Sequence, residues 1–173
     1  GTIRKFDAVT PYLEHLGKLL DLDILRDAQL KIVVDSMYGA GSGFFSSILK
    51  GGNVELLEIH GERNPAFPGL EQPEPIGPNL QLLSEVINNE KADVGLATDG
   101  DADRLGLMDE RGSFVTQLQT MALLALYLME VRGERGALVK SVTTTSMIFR
   151  LGELYNVPVF ETPVGFKHIG PVM

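Results

Sequence analysis

Residues 94–108 read Val-Gly-Leu-Ala-Thr-Asp-Gly-Asp-Ala-Asp-Arg-Leu-Gly-Leu-Met, two short apolar runs with three carboxylates held between them. No other stretch restricts the possible folds as strongly. The flanking runs are strand-like, so Asp99, Asp101 and Asp103 fall at the end of a buried strand, where α/β proteins place ligands. If that loop curls so that its carboxylates converge, their repulsion needs a cation to offset it. Oxygen donors with no cysteine and no neighbouring histidine suit Mg²⁺, Mn²⁺ or Ca²⁺ rather than zinc. An exposed acidic turn is the plainer reading, and the two apolar runs around the loop argue against it. An EF-hand also fits Asp99, Asp101, Asp103 and Glu110 at loop positions 1, 3, 5 and 12. It fails because Arg104 stands where glycine is needed and the preceding segment is strand-like.

Composition narrows the class. The 173 residues suffice for one domain or one and a fraction, and 44% hydrophobic with 22% charged residues is ordinary for a globular protein. A net charge of −8 with no basic stripe argues against a nucleic-acid surface. The absence of cysteine excludes a disulfide scaffold and thiolate chemistry and fits a cytoplasmic protein. The longest apolar run, residues 121–129, falls far short of the roughly 20 residues that span a bilayer, so no membrane partner is expected. No signal peptide is visible, and the chain is expected to be a piece of a longer protein.

In chain order, residues 10–20 form an amphipathic helix with Thr10 as N-cap and Pro11 in its first turn. Residues 31–35 are a buried parallel strand. Gly39, Gly41 and Gly43 follow, opening a helix that runs to Leu49. They allow a phosphate cradle or a close-packed strand–helix turn. The turn is favoured, because neither G-x-x-x-x-G-K-[ST] nor G-x-G-x-x-G is present. A strand over residues 54–59 leads into the irregular stretch 60–79, which holds prolines 65, 68, 73, 75 and 78. A loop of that length is usually functional or a linker, and its prolines stiffen it. His60 and Arg63 are its candidates for facing a site. A helix starting at Pro78 or Asn79 buries Leu80, Leu83, Val86 and Ile87 and feeds the acidic hairpin, which a further strand at 113–115 extends past the turn 109–112. A long apolar helix over 117–132, a strand over 137–142, a helix over 145–154 and a strand over 158–161 then begin a second unit, which reads as truncated. The fold class is α/β: a three-layer α/β/α sandwich with a mixed sheet, followed by a partial second α/β unit.

The sequence Thr98-Asp-Gly-Asp-Ala-Asp-Arg104 resembles the metal-binding loop of the α-D-phosphohexomutases, the phosphoglucomutase/phosphomannomutase family. Val34-Asp-Ser-Met-Tyr-Gly-Ala-Gly41, Phe67-Pro-Gly69 with Pro73-Glu-Pro75, and Thr162-Pro-Val-Gly-Phe-Lys167 are similar to family segments in the same order. The resemblance implies that residues 1–116 are the second of four domains and residues 117–173 the beginning of the third. It implies that Asp99, Asp101 and Asp103 hold Mg²⁺ together with the phosphate of an active-site phosphoserine, and that Arg104 contacts phosphate nearby. Thr162, Gly165 and Lys167 match the segment near the sugar phosphate.

By that resemblance the parent enzyme is an intramolecular phosphotransferase. It would interconvert hexose 1-phosphate and hexose 6-phosphate through a bisphosphorylated sugar. Ser36 and Ser42 follow a different strand from the family's catalytic serine, so this chain has no candidate for it and is expected to be inactive alone. Glu71-Gln72 stands where some family members carry histidines, and the loop that reads the sugar hydroxyls is expected beyond Met173. Two other readings remain at this stage. One is a Mg²⁺-dependent phosphatase with Asp99 as nucleophile, although Asp103 occupies the position where that motif needs Thr or Val. The other is a non-catalytic Ca²⁺-binding module.

Overall fold

β-Branched and aliphatic residues bounded by polar turns set the strands of the computed structural model, which describes residues 1–173. The elements run α1 (Val9–Leu19), α2 (Leu22–Asp27), β1 (Lys31–Asp35), α3 (Phe44–Leu49), β2 (Glu55–Ile59), α4 (Gln81–Glu90), β3 (Val94–Thr98), β4 (Leu105–Met108) and β5 (Phe114–Val115). A second series follows with α5 (Gln117–Glu130), β6 (Leu138–Ser141), α6 (Met147–Tyr155), β7 (Val159–Thr162) and α7 (Phe166–Ile169). The chain divides into two compact units, Gly1–Phe114 and Val115–Met173.

In the first unit five strands form a mixed sheet in the order β2-β1-β3-β4-β5. β1 lies between β2 and β3 and parallel to both, while β4 runs antiparallel to β3. An inner parallel strand is covered on both faces, which explains why Ile32, Val33, Val34 and Asp35 are all buried. α4 packs Leu83 and Ile87 onto β1 and β3, joining Val33, Met37, Leu80, Ala92, Ala97 and Met108 in one core. Each large side chain buried there stabilises the fold by about 1.5–3 kcal/mol relative to exposure. The second unit has its own smaller core of Ala125, Met129, Ile148 and Val157 beside the parallel pair β6-β7.

Several local expectations are corrected. Thr10 does not cap α1; the Asp7 carboxylate accepts the backbone N–H groups of Val9 (2.9 Å) and Thr10 (3.3 Å) instead. The helix starts at Val9 and buries no residue, so the leucine stripe that defines it stays largely in solvent. α2 and α7 are additional helices, six and four residues long. Both are too short for a periodic pattern to declare them. α5 begins with a reciprocal capping box between Thr116 and Gln119, which fixes its start. No helix is long and apolar enough to cross a membrane.

Candidate metal centre

The β3–β4 pairing sets Thr98 opposite Leu105, so residues 99–104 are the connection of an antiparallel hairpin. Asp99 builds that connection. Its Oδ1 accepts the backbone N–H of Asp103 (2.9 Å) and of Arg104 (3.0 Å), and its Oδ2 accepts Arg104 Nε (2.7 Å). Ala102 turns the chain at a φ of +62°, and its N–H reaches Asp99 O at 3.1 Å. Asp99 is 1% exposed, whereas Asp101 and Asp103 stand in solvent. One carboxylate oxygen from each of the three lies within 4.8 Å of the others.

The donor set fits a hard divalent cation. Oxygens that share an ion at roughly 2.0–2.6 Å sit no more than about 5 Å apart. The two exposed carboxylates have the rotamer freedom to adjust around an ion. The carboxylates act on one another electrostatically. Repulsion from Asp101, then from Asp99, raises the Asp103 carboxyl above its usual value. At Asp99 burial pushes the carboxyl up, but the hydrogen bonds from Arg104 and Asp103 outweigh it and bring the net value down. Arg104 is held firmly cationic by its bonds to Asp99 and to Glu74 Oε1, the latter at 3.0 Å.

The stretch 60–79 supports this loop. Gly100 N donates to Pro73 O (3.2 Å), and Glu74 is the second partner of Arg104. Sequence reasoning missed Glu74 as a functional neighbour, although it lies inside the quoted Pro73-Glu-Pro75 segment. His60 is also more constrained than a loop histidine, with Nδ1 2.9 Å from Oδ1 of the buried Asp35 and its ring 4.5 Å from that of Tyr38. The parallel register that sets Asp35 beside Ile59 brings the following His60 to that carboxylate. Arg63 is exposed.

The phosphate-cradle reading of the glycine turn fails for a chemical reason. The start of α3 is already occupied by an anion of the chain, since Glu58 accepts Gly43 N (2.9 Å) and Ser36 Oγ (2.6 Å). Ser42 Oγ donates to Gly39 O at 2.9 Å. Neither serine is an unengaged nucleophile.

In the second unit Thr162 ends β7, buried, with its hydroxyl donating to main-chain carbonyls at Pro163 (3.1 Å) and Lys140 (3.5 Å). Gly165 sits at a φ of +117° ahead of α7, and Lys167 is exposed. The structure thus brings Asp99, Asp101, Asp103 and Arg104 together, while Thr162 is engaged with backbone and Lys167 is unpaired. Lys140 is the basic residue that sequence reasoning passed over. It is 3% exposed, ion-paired with Glu161 opposite it on β7, and 4.9 Å from the Phe149 ring centroid.

A mixed α/β sheet carrying an acidic hairpin loop with a hard-cation donor set defines the class. Residues 10–112 match the family model for phosphoglucomutase/phosphomannomutase alpha/beta/alpha domain II, and residues 117–173 match that for domain III. The chain belongs to the phosphoglucomutase/phosphomannomutase family. It is 31% identical, over 95% of its length, to a phosphoglucomutase/phosphomannomutase of Thermococcus kodakarensis, covering 36% of that protein. It is equally 31% identical to a phosphopentomutase of the same organism, over 91% of this chain and 34% of the relative. A solved structure from Thermus thermophilus, described as a candidate phosphomannomutase, superposes with a TM-score of 0.88 at 38% identity, covering 96% of this chain and 38% of that one. The chain therefore spans about a third of the length of the curated relatives it matches.

Proposed function

We propose that this chain supplies the cation-holding part of a phosphohexomutase that interconverts hexose 1-phosphate and hexose 6-phosphate. The carrying observation is the convergence of Asp99, Asp101 and Asp103 on a hairpin whose first carboxylate is fixed by three hydrogen bonds. These three residues hold Mg²⁺, which when bound supplies positive charge against the oxygens of a phosphoryl group in transfer. Arg104 adds a planar donor suited to phosphate. Only its Nε and one terminal nitrogen are engaged, by Asp99 and Glu74, so its other N–H groups are available to an anion. Thr162, Gly165 and Lys167 form a wall near the sugar phosphate, with exposed Lys167 as its charge. Residues 1–116 act as the second domain of such an enzyme and residues 117–173 as the start of its third. A cytoplasmic location accords with the absence of cysteine.

The hexose is part of the proposal, since a phosphopentomutase matches at the same 31% identity as the phosphoglucomutase/phosphomannomutase. The residues of this chain thus define phosphosugar chemistry more sharply than sugar size. A phosphatase with Asp99 as nucleophile is not favoured. Both Asp99 oxygens already accept hydrogen bonds inside the hairpin, and the residue is almost wholly buried.

The test is ³¹P NMR of the chain with Mg²⁺, glucose 1-phosphate and glucose 1,6-bisphosphate. No glucose 6-phosphate and no inorganic phosphate are expected, because Ser36 and Ser42, the two serines of the turn after β1, are both held in hydrogen bonds of the chain. Turnover to the 6-phosphate by this chain alone would overturn the proposed division of labour, and release of inorganic phosphate would revive the phosphatase.

A further inference from the structure

Two observations about the glycine turn after β1 have no part in binding a phosphate. A Cβ on Gly39 would lie 2.6 Å from Gly100 O and 2.9 Å from Asp99 O, inside the backbone of the acidic loop. A Cβ on Gly41 would lie 2.5 Å from Thr98 Oγ1. That hydroxyl is buried and has no hydrogen-bond partner. Between the two glycines, Ala40 N donates to Gly100 O at 3.0 Å. A buried hydroxyl left unpaired costs free energy. The chain keeps Thr98 in that position and lets the glycine backbone press against it.

We propose that Gly39 and Gly41 are positioning residues for the cation loop: their bare backbone clamps residues 98–100 from outside and so sets the geometry in which the three carboxylates converge. The inference rests on the cation reading above for its consequence in binding, and on packing alone for its consequence in order. Gly41 is the informative position, because the atom in its way belongs to a side chain that makes no bond. Thr98→Ala removes that atom and sacrifices no hydrogen bond, leaving Thr98 Cβ at 3.3 Å as the next neighbour. Gly43, in the same turn, supplies the control. It has a φ of +75° and open space around its Cβ, so Gly43→Ala strains the turn without touching the cation loop.

The experiment compares wild type, Gly41→Ala, Thr98→Ala, Gly41→Ala/Thr98→Ala and Gly43→Ala by two readouts. Mn²⁺ binding is followed by electron paramagnetic resonance, and hydrogen exchange of the Asp103 and Arg104 amides is followed without metal. Gly41→Ala should weaken Mn²⁺ binding by about ten-fold or more, as loss of an outer support to metal ligands does. It should also speed exchange of both amides. The double variant should recover most of both losses, and Gly43→Ala should show neither. A folded Gly41→Ala chain with wild-type affinity and exchange would overturn the clamp. So would a Gly41→Ala chain that is unfolded or loosened and is not rescued by Thr98→Ala. If wild type and Asp103→Asn fail alike to bind Mn²⁺, the cation reading falls while the amide exchange still decides the clamp.

Discussion

The two segments proposed to meet a phosphosugar, residues 99–104 and residues 162–167, are built on opposite principles. The acidic loop is determined from every side: its own Asp99, the glycine turn, the Pro73 carbonyl and Glu74 all fix it. In residues 162–167 only Thr162 has a side chain held by hydrogen bonds, while Lys167 extends into solvent. The difference follows from charge. One exposed ammonium is stable in water by itself and needs no scaffold. Three carboxylates repel one another, so the chain must supply hydrogen bonds and packing to hold them before any cation arrives. The second unit does contain a scaffolded cation, but it is Lys140, neutralised by Glu161 and therefore spent on structure.

The largest effect should come from removing the keystone of the acidic loop. Asp99→Ala leaves two backbone N–H groups and Arg104 Nε without their acceptor. Denaturant unfolding is expected to show a loss of about 2–4 kcal/mol. Lys167→Ala should stay within about 0.5 kcal/mol of wild type. Equal losses would erase the contrast between the two segments.

A smaller effect is expected from Glu161→Gln, which leaves a buried ammonium without its carboxylate. Loss of a wholly buried partner costs about 3–5 kcal/mol; with the Glu161 side chain 40% exposed, about 1–3 kcal/mol is the expectation. Mn²⁺ binding should not change. A fall in affinity would show that this ion pair is not confined to structure.

Asp99 and Glu161 also mark what the sequence could reveal. Asp99, Asp101 and Asp103 are legible because their spacing is local and their neighbours are strands. β1 and β3 are legible because buried parallel strands read as continuous apolar runs. The partners that hold these residues are long-range: Glu74 for Arg104, Asp35 for His60, Glu161 for Lys140. Each depends on strand register or on the path of a proline-rich loop, which no local pattern declares. Thr10 misled because it is a good capping residue three positions after a better-placed aspartate.

Asp103→Asn sharpens the comparison with effects of opposite sign. The folded-state value of Asp103 is raised, so its contribution to stability is fully present below the unfolded-state value and is lost as pH rises through the raised one. At neutral pH the ionised carboxylate therefore opposes folding, and Asn should raise the melting temperature slightly while weakening Mn²⁺ binding. A variant that loses both would mean that Asp103 holds the hairpin rather than a cation. Asp99 behaves inversely, since its folded-state value is lowered. Its stabilisation is complete above the ordinary aspartate range and disappears as pH falls through the depressed value. Acid unfolding of wild type and Asp99→Asn should accordingly converge at low pH.

The claim on which the account depends is that Asp99, Asp101 and Asp103 form a cation centre already shaped by the fold. Calorimetric titration of Mg²⁺ into the wild-type chain and into Asp101→Asn/Asp103→Asn tests it directly, because both substituted side chains are exposed and their removal leaves the hairpin's hydrogen bonds in place. Saturable one-site binding in the wild type that vanishes in the variant is the predicted result. Indistinguishable heats from two equally folded chains would contradict it.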